Sequence, residues 1–227
     1  MSPNHCKRAY RWNFLQVAAF AIVATCSFLP SPIAANDGWP FVRGPNYDGH
    51  SAEEGIVDSW PDDGPPVLWT RRLGQGYSAL VADGDRVFTQ AQNITGQYLY
   101  CLEADTGKTV WEYRYDWPYE AAGVYPGPRS TPTLYAGRVY FTSPDGHLGC
   151  VDQADGSLLW SVDLLNTYGI EGCDFGYACS PTVIDGKVIL PVGGTNAGVV
   201  AFDAATGTVD KTIDQPNPDN GDWGFIA

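Results

Sequence analysis

The sequence predicts an all-β chain built from four-stranded antiparallel blades of a β-propeller, and three observations predict it. The segments CLEADTGKTVWEY from Cys101, CVDQADGSLLWSV from Cys150 and AFDAATGTVDKTI from Ala201 align without gaps, with Gly107, Gly156 and Gly207 spaced 49 and 51 residues apart. An upstream half recurs with them: SALVADGDRVF from Ser78, TPTLYAGRVYF from Thr131 and SPTVIDGKVIL from Ser180 place Gly84, Gly137 and Gly186 alike. Between the turns lie runs of β-branched and aromatic residues, and no long stretch carries helical periodicity. Four-stranded units of about 50 residues are the size of propeller blades, which close in rings of typically about 4–8.

Taken along the chain, residues 1–35 read as a signal peptide. Lys7, Arg8 and Arg11 precede an apolar run from Phe14 to Leu29, and Ile33-Ala34-Ala35 supplies the small-residue end. The run is short for a transmembrane helix of ~20 residues. An uncleaved membrane anchor, or a lipid attached at Cys26, are the alternative fates of this segment. Residues 36–66 form a leader, and 67–227 a partial propeller with repeats over about 76–116, 129–165 and 178–214. The middle repeat shows the unit. Thr131–Tyr135, Arg138–Thr142, His147–Asp152 and Leu158–Val162 are its strands, and Ala136-Gly137, Pro144-Asp145-Gly146 and Ala154-Asp155-Gly156 are its turns.

Trp111 and Trp160 sit on the fourth strands of two repeats, and Trp69, in PVLWTRRL, matches that strand one unit earlier with no first three strands before it. Each indole is expected to fill the widening wedge between blades, with the Gly of the preceding turn admitting the ring close to a backbone. Trp69, Trp111, Trp160, Gly107, Gly156 and Gly207 are therefore read as blade-docking residues. The third repeat has Lys211 at the Trp position, which predicts a weaker seam. About three blades and one orphan strand make an incomplete ring, so the remaining blades are expected from a longer or a second chain.

The chain carries a net charge of -13, and all 26 acids but only ten of the 13 bases lie beyond residue 35. An acidic surface disfavours nucleic acid and anionic membranes as partners; membrane contact is expected only through an uncleaved signal or a lipid. Cys101 and Cys150 fall in apolar strands and read as buried small residues, while Cys173 and Cys179 flank a loop that a disulfide can close. There is no C-x-x-C pair, no His-rich metal motif, no G-x-S-x-G, H-E-x-x-H or P-loop. Glu53-Glu54 and Asp62-Asp63 read as solvated pairs, and the acid- and amide-rich stretch from Asn217 to Asp222 as a plain turn.

The closing pattern A-x-D-x-x-T-G-x-x-x-W resembles the pyrroloquinoline-quinone-like (PQQ-like) propeller repeat. Its acid falls on Glu103, Asp152 and Asp203, its Thr on Thr106 and Thr206, and its Trp on Trp111 and Trp160. The opening GWPFVRGPNYDGHS from Gly38 is similar to the leader of exported propellers in that superfamily. The recurring acid reads as a turn group accepting backbone N–H bonds. Two branches of the superfamily imply different functions. The quinoprotein dehydrogenases imply PQQ, calcium and a vicinal Cys pair, which this sequence lacks. The BamB-like branch implies an exported scaffold that binds envelope proteins without a cofactor, and this second branch is the expectation. Its partner-binding rim is expected from residues preceding the first strands, namely Tyr77, Tyr125, Arg129 and Tyr177, since Tyr and Arg are favoured in protein contacts. Trp39, Trp60 and Trp117 lie in loops and are compatible with stacking on sugars.

Overall fold

The computed structural model describes residues 38–120, 126–170, 176–194 and 196–213. The signal segment, Tyr125, Cys173 and the stretch from Asn217 to Asp222 lie outside the described residues. Among the described residues, twelve strands form three antiparallel sheets, each in sequence order. The first comprises β1 (Val81–Asp83), β2 (Arg86–Asn93), β3 (Gly96–Glu103) and β4 (Thr109–Asp116). The second comprises β5 (Thr133–Tyr135), β6 (Arg138–Thr142), β7 (His147–Asp152) and β8 (Leu158–Asp163). The third comprises β9 (Thr182–Ile184), β10 (Lys187–Gly194), β11 (Ala197–Asp203) and β12 (Val209–Ile213). These are blades 1 to 3. A single described helix, α1 (Leu164–Tyr168), follows blade 2; Asp163 caps its start by accepting the Asn166 N–H at 3.0 Å, and Gly169 ends it in the left-handed region.

Each meander is dictated locally. The turn before each fourth strand is tied by its acid, though not identically. Asp152 accepts the Ala154 N–H at 2.8 Å, and Asp203 accepts the N–H groups of Ala205 and Thr206 at 3.0 Å each. Glu103, one methylene longer, accepts the Thr106 hydroxyl at 2.6 Å instead. The hydroxyl and N–H groups of Thr206 hold the Asp203 carboxyl below the ordinary range, an effect opposed by desolvation.

Because side chains alternate across a strand, each sheet has two faces, and the core lies at the seams between blades. Phe88, Leu99, Cys101 and Trp111 of blade 1 meet Leu134, Val139, Phe141 and Val151 of blade 2. The opposite face of blade 2, with Tyr140, Leu148 and Cys150, meets Val188, Leu190, Val200 and Phe202 of blade 3. Burial pushes the Cys101 and Cys150 thiols up to about 11 and about 12, so both are inert neutral packing groups.

The tryptophans join these layers, and here the structure corrects the expected pairing. No Trp packs on the Gly of its own repeat. The Trp111 ring lies over Gly156 of the next blade, and a Cβ built there meets it at 2.6 Å; Trp160 lies over Gly207 at the same distance. Trp69 lies over Gly107 in the same way. The indole N–H then donates to a carbonyl three residues before that Gly: Trp69 to Ala104 at 2.8 Å, Trp111 to Gln153 at 3.0 Å and Trp160 to Ala204 at 3.2 Å. The same two contacts therefore recur three times, always from one unit to the next. The segment around Trp69 docks as a fourth strand does, yet it is assigned to no sheet, because none of the described residues supplies a third strand beside it.

First strands converge: β1 packs beside β5, and β5 beside β9. Side-chain hydroxyls link them. The Ala79 N–H donates to Thr131 Oγ1 at 3.1 Å, the Thr131 N–H to Ser180 Oγ at 2.9 Å, and the Thr133 hydroxyl to the Pro181 carbonyl at 2.5 Å. The leader crosses all three. Trp39 and Ala82 exchange N–H···O bonds of 2.8 and 2.9 Å, the Leu134 N–H donates to the Pro40 carbonyl at 2.9 Å, and the Tyr47 hydroxyl reaches the Val183 carbonyl at 3.5 Å. Trp39 is thereby a packing residue, half-buried and folded onto Gly44, and is not available for stacking on a sugar.

Candidate functional site

The face of interest is the end of the blades where the chain approaches each first strand. Two glutamines build it from below. Gln90 and Gln92 sit on β2 among apolar neighbours and are almost fully buried, so their amides must find partners. Gln90 Nε2 donates to the Ser130 carbonyl at 2.9 Å and to its hydroxyl at 2.8 Å. Gln92 Nε2 donates to the Tyr119 carbonyl at 3.0 Å, while its Oε1 accepts the Tyr119 N–H at 2.8 Å. Both ends of the connection between blades 1 and 2 are thus clamped onto β2.

On that support stands an aromatic–cation group. The Arg129 guanidinium carbon lies 5.9 Å from the Tyr77 ring centroid and 6.0 Å from that of Tyr119, within the range of cation–π attraction. The Tyr77 N–H donates to the Pro128 carbonyl at 2.8 Å, which fixes the first-strand approach of blade 1 against that of blade 2. Tyr77 keeps 55% of its surface exposed.

Of the four residues expected on the rim, the structure brings Tyr77 and Arg129 together, and Tyr125 lies outside the described residues. Tyr177 is a correction. It is 6% exposed, and its hydroxyl donates to the carbonyls of Pro191 and Val192, 2.8 and 2.6 Å away, so it is a core residue of the blade 2–3 seam. Its position before a first strand matched the others, but the path of that strand turns it inward. Tyr119, Gln90 and Gln92 escaped the sequence reading. A polar amide recurring inside an otherwise apolar strand was the available signal for the glutamines, since a buried amide implies a fixed partner.

A second group lies where blade 1 meets the β6–β7 turn of blade 2. His147 Nδ1 is 3.3 Å from Asp116 Oδ2, and its Nε2 is 3.9 Å from Asp163 Oδ2. Gln97 Nε2 donates to Asp145 Oδ2 at 2.5 Å and to the Trp117 carbonyl at 2.7 Å. Burial raises the Asp145 carboxyl above its ordinary value, against the Gln97 bond that lowers it.

Among the described residues no group of three or more His, Cys, Asp or Glu is placed to hold a metal ion. The sequence has no vicinal Cys pair, and the leader occupies the first-strand edges of all three blades. Glu53, Glu54, Asp62 and Asp63 are all exposed.

Comparison with known proteins gives a consistent family pattern. Residues 53–222 match the family described as outer membrane protein assembly factor BamB. The chain is 33% identical over 156 residues to the dehydrogenase subunit of a quinone-type alcohol dehydrogenase from Komagataeibacter europaeus, covering 65% of this chain and 21% of that protein. It is 24% identical over 124 residues to the outer membrane protein assembly factor BamB of Salmonella typhimurium, covering 55% and 26%. Among solved structures, it is similar to the quinohemoprotein alcohol dehydrogenase of Comamonas testosteroni, with a TM-score of 0.47, 24% identity and coverage of 62% and 21%. The chain thus spans about a fifth of the length of the dehydrogenases it matches.

Proposed function

The chain belongs to the BamB-like family of PQQ-repeat propellers, and from that premise we propose that it acts as a non-catalytic, exported binding or scaffold module of the cell envelope. The observation that carries this reading is the Arg129 group. A guanidinium within 5.9 and 6.0 Å of the Tyr77 and Tyr119 rings, on a loop anchored by buried glutamines, is a side-chain set of the kind that dominates protein contacts. The basic start and apolar run of residues 1–35 support export to the periplasm or cell envelope, where envelope proteins are its proposed partners.

The test is capture of partners from an envelope extract by the intact chain and by Tyr77→Ala and Arg129→Ala. Loss of a specific partner in both variants, with unchanged melting, is the expected result. Equal capture by both variants would sink the assignment of this face.

A second reading has its own support, because the relatives of 33% identity are quinone-type dehydrogenase subunits. It makes the chain one segment of a PQQ- and calcium-dependent oxidoreductase. Saturable binding of the quinone, with dye-linked alcohol oxidation after addition of PQQ and calcium, would establish it over the first.

A further inference from the structure

We propose that Trp117 and the polar row beside it form a binding platform for a neutral polysaccharide. This inference is independent of the protein-binding rim and survives its failure.

Trp117 is 72% exposed, yet it is not a loosely held residue. Its N–H donates to Asp116 Oδ1 at 2.8 Å, and its carbonyl accepts Gln97 Nε2 at 2.7 Å, from a side chain with no exposed surface. Arg114 braces the indole, with the guanidinium carbon 4.6 Å from the ring centroid. Arg114 reaches that place by lying across Gly96, where a Cβ would collide with its Nε. A large flat apolar ring is therefore held largely in water, with a cation against one face. Keeping such a surface wet is unfavourable unless something covers it.

The surroundings select the ligand. Asp116, which caps the Trp117 backbone, lies against His147, and His147 lies against Asp163; all three side chains are partly exposed. Such a row offers carboxylate acceptors and the Nε2 edge of an imidazole for sugar hydroxyls, His147 Nδ1 being buried, while the C–H face of a pyranose ring lies flat on the indole. The core of a protein interface is depleted of charge, which makes a surface bordered by carboxylates a poor hot spot. An acidic chain repels polyanions, which favours a neutral polymer over an acidic one.

The experiment is native affinity electrophoresis of the full chain through gels containing hydroxyethylcellulose, galactomannan or amylopectin, with polygalacturonate as the acidic control. Retardation by at least one neutral polymer is expected. It should weaken about tenfold in Trp117→Ala, recover in part in Trp117→Tyr, and persist in Trp60→Ala, which removes an exposed Trp elsewhere. Thermal melting of each variant at the wild-type temperature separates binding from folding. Absence of retardation by every neutral polymer overturns the proposal, as does equal retardation of Trp117→Ala or retardation by polygalacturonate alone. Loss of a captured envelope protein in Trp117→Ala, with no polymer retardation, would assign the surface to a protein and overturn it too.

Discussion

Gly156 and Gly137 have nearly the same backbone, with φ of 74° and 72°, yet stand in different surroundings. Gly137 has nothing within 4 Å of a built Cβ, whereas at Gly156 that atom meets the Trp111 ring at 2.6 Å. Gly137→Ala should cost only the left-handed backbone penalty, roughly 1 kcal/mol. Gly156→Ala adds a collision that displaces the ring and stretches its bond to the Gln153 carbonyl, for a total of about 2–4 kcal/mol. Urea denaturation of the two variants checks the order; equal losses would show that the seam has room to relax. The sequence made Gly156 legible as a turn glycine through its recurrence. It did not show which ring the glycine serves, because Trp111, only four residues from Gly107, lies across the seam from its partner and 45 residues away in the chain.

At the scale of elements, β2 does two jobs. Its Phe88 side chain enters the blade 1–2 seam, while Gln90 and Gln92 hold the loop that carries Tyr119 and Arg129. Gln92→Met keeps the volume and removes the amide's bonds to Tyr119 and to Gln75, leaving the Tyr119 N–H and carbonyl to find water. The loss should be about 1–3 kcal/mol, with proteolytic cleavage near Tyr119 accelerated more than cleavage elsewhere. Cleavage unchanged at that loop would show that the glutamine is not its anchor. The β6 and β7 spans, Arg138–Thr142 and His147–Asp152, coincide with those the sequence predicts, because turn residues and alternation both act over a few positions. Strand β5 is shorter than predicted: Thr131 and Pro132 lie outside its ladder, and Thr131 bonds to the neighbouring blades.

Across the whole molecule, the leader is the element that touches every blade. It hydrogen-bonds at Ala82, Leu134 and Val183, one residue in each first strand. These first strands are the inner edges of their sheets, and an edge strand exposes unpaired backbone groups. A variant lacking residues 38–50 should show faster hydrogen exchange at the Ala82 and Leu134 amides, with little change in the seam strands β3 and β7. Unaltered exchange at both amides would mean that the leader contributes nothing to these edges.

The sequence by itself determined the repeat, the strand order within each blade, the turn glycines and the acids that tie the turns, since all of these act between near neighbours. Tertiary structure alone decided that each Trp serves the following blade, that Tyr177 turns inward while Tyr77 stays exposed, and that the leader spans three first strands. Those outcomes depend on contacts between residues well separated in the chain, from 14 positions for Tyr177 and Pro191 to 136 for Tyr47 and Val183. Periodicity shows which side of a strand a residue occupies, and only the packing of one blade on the next settles what that side meets.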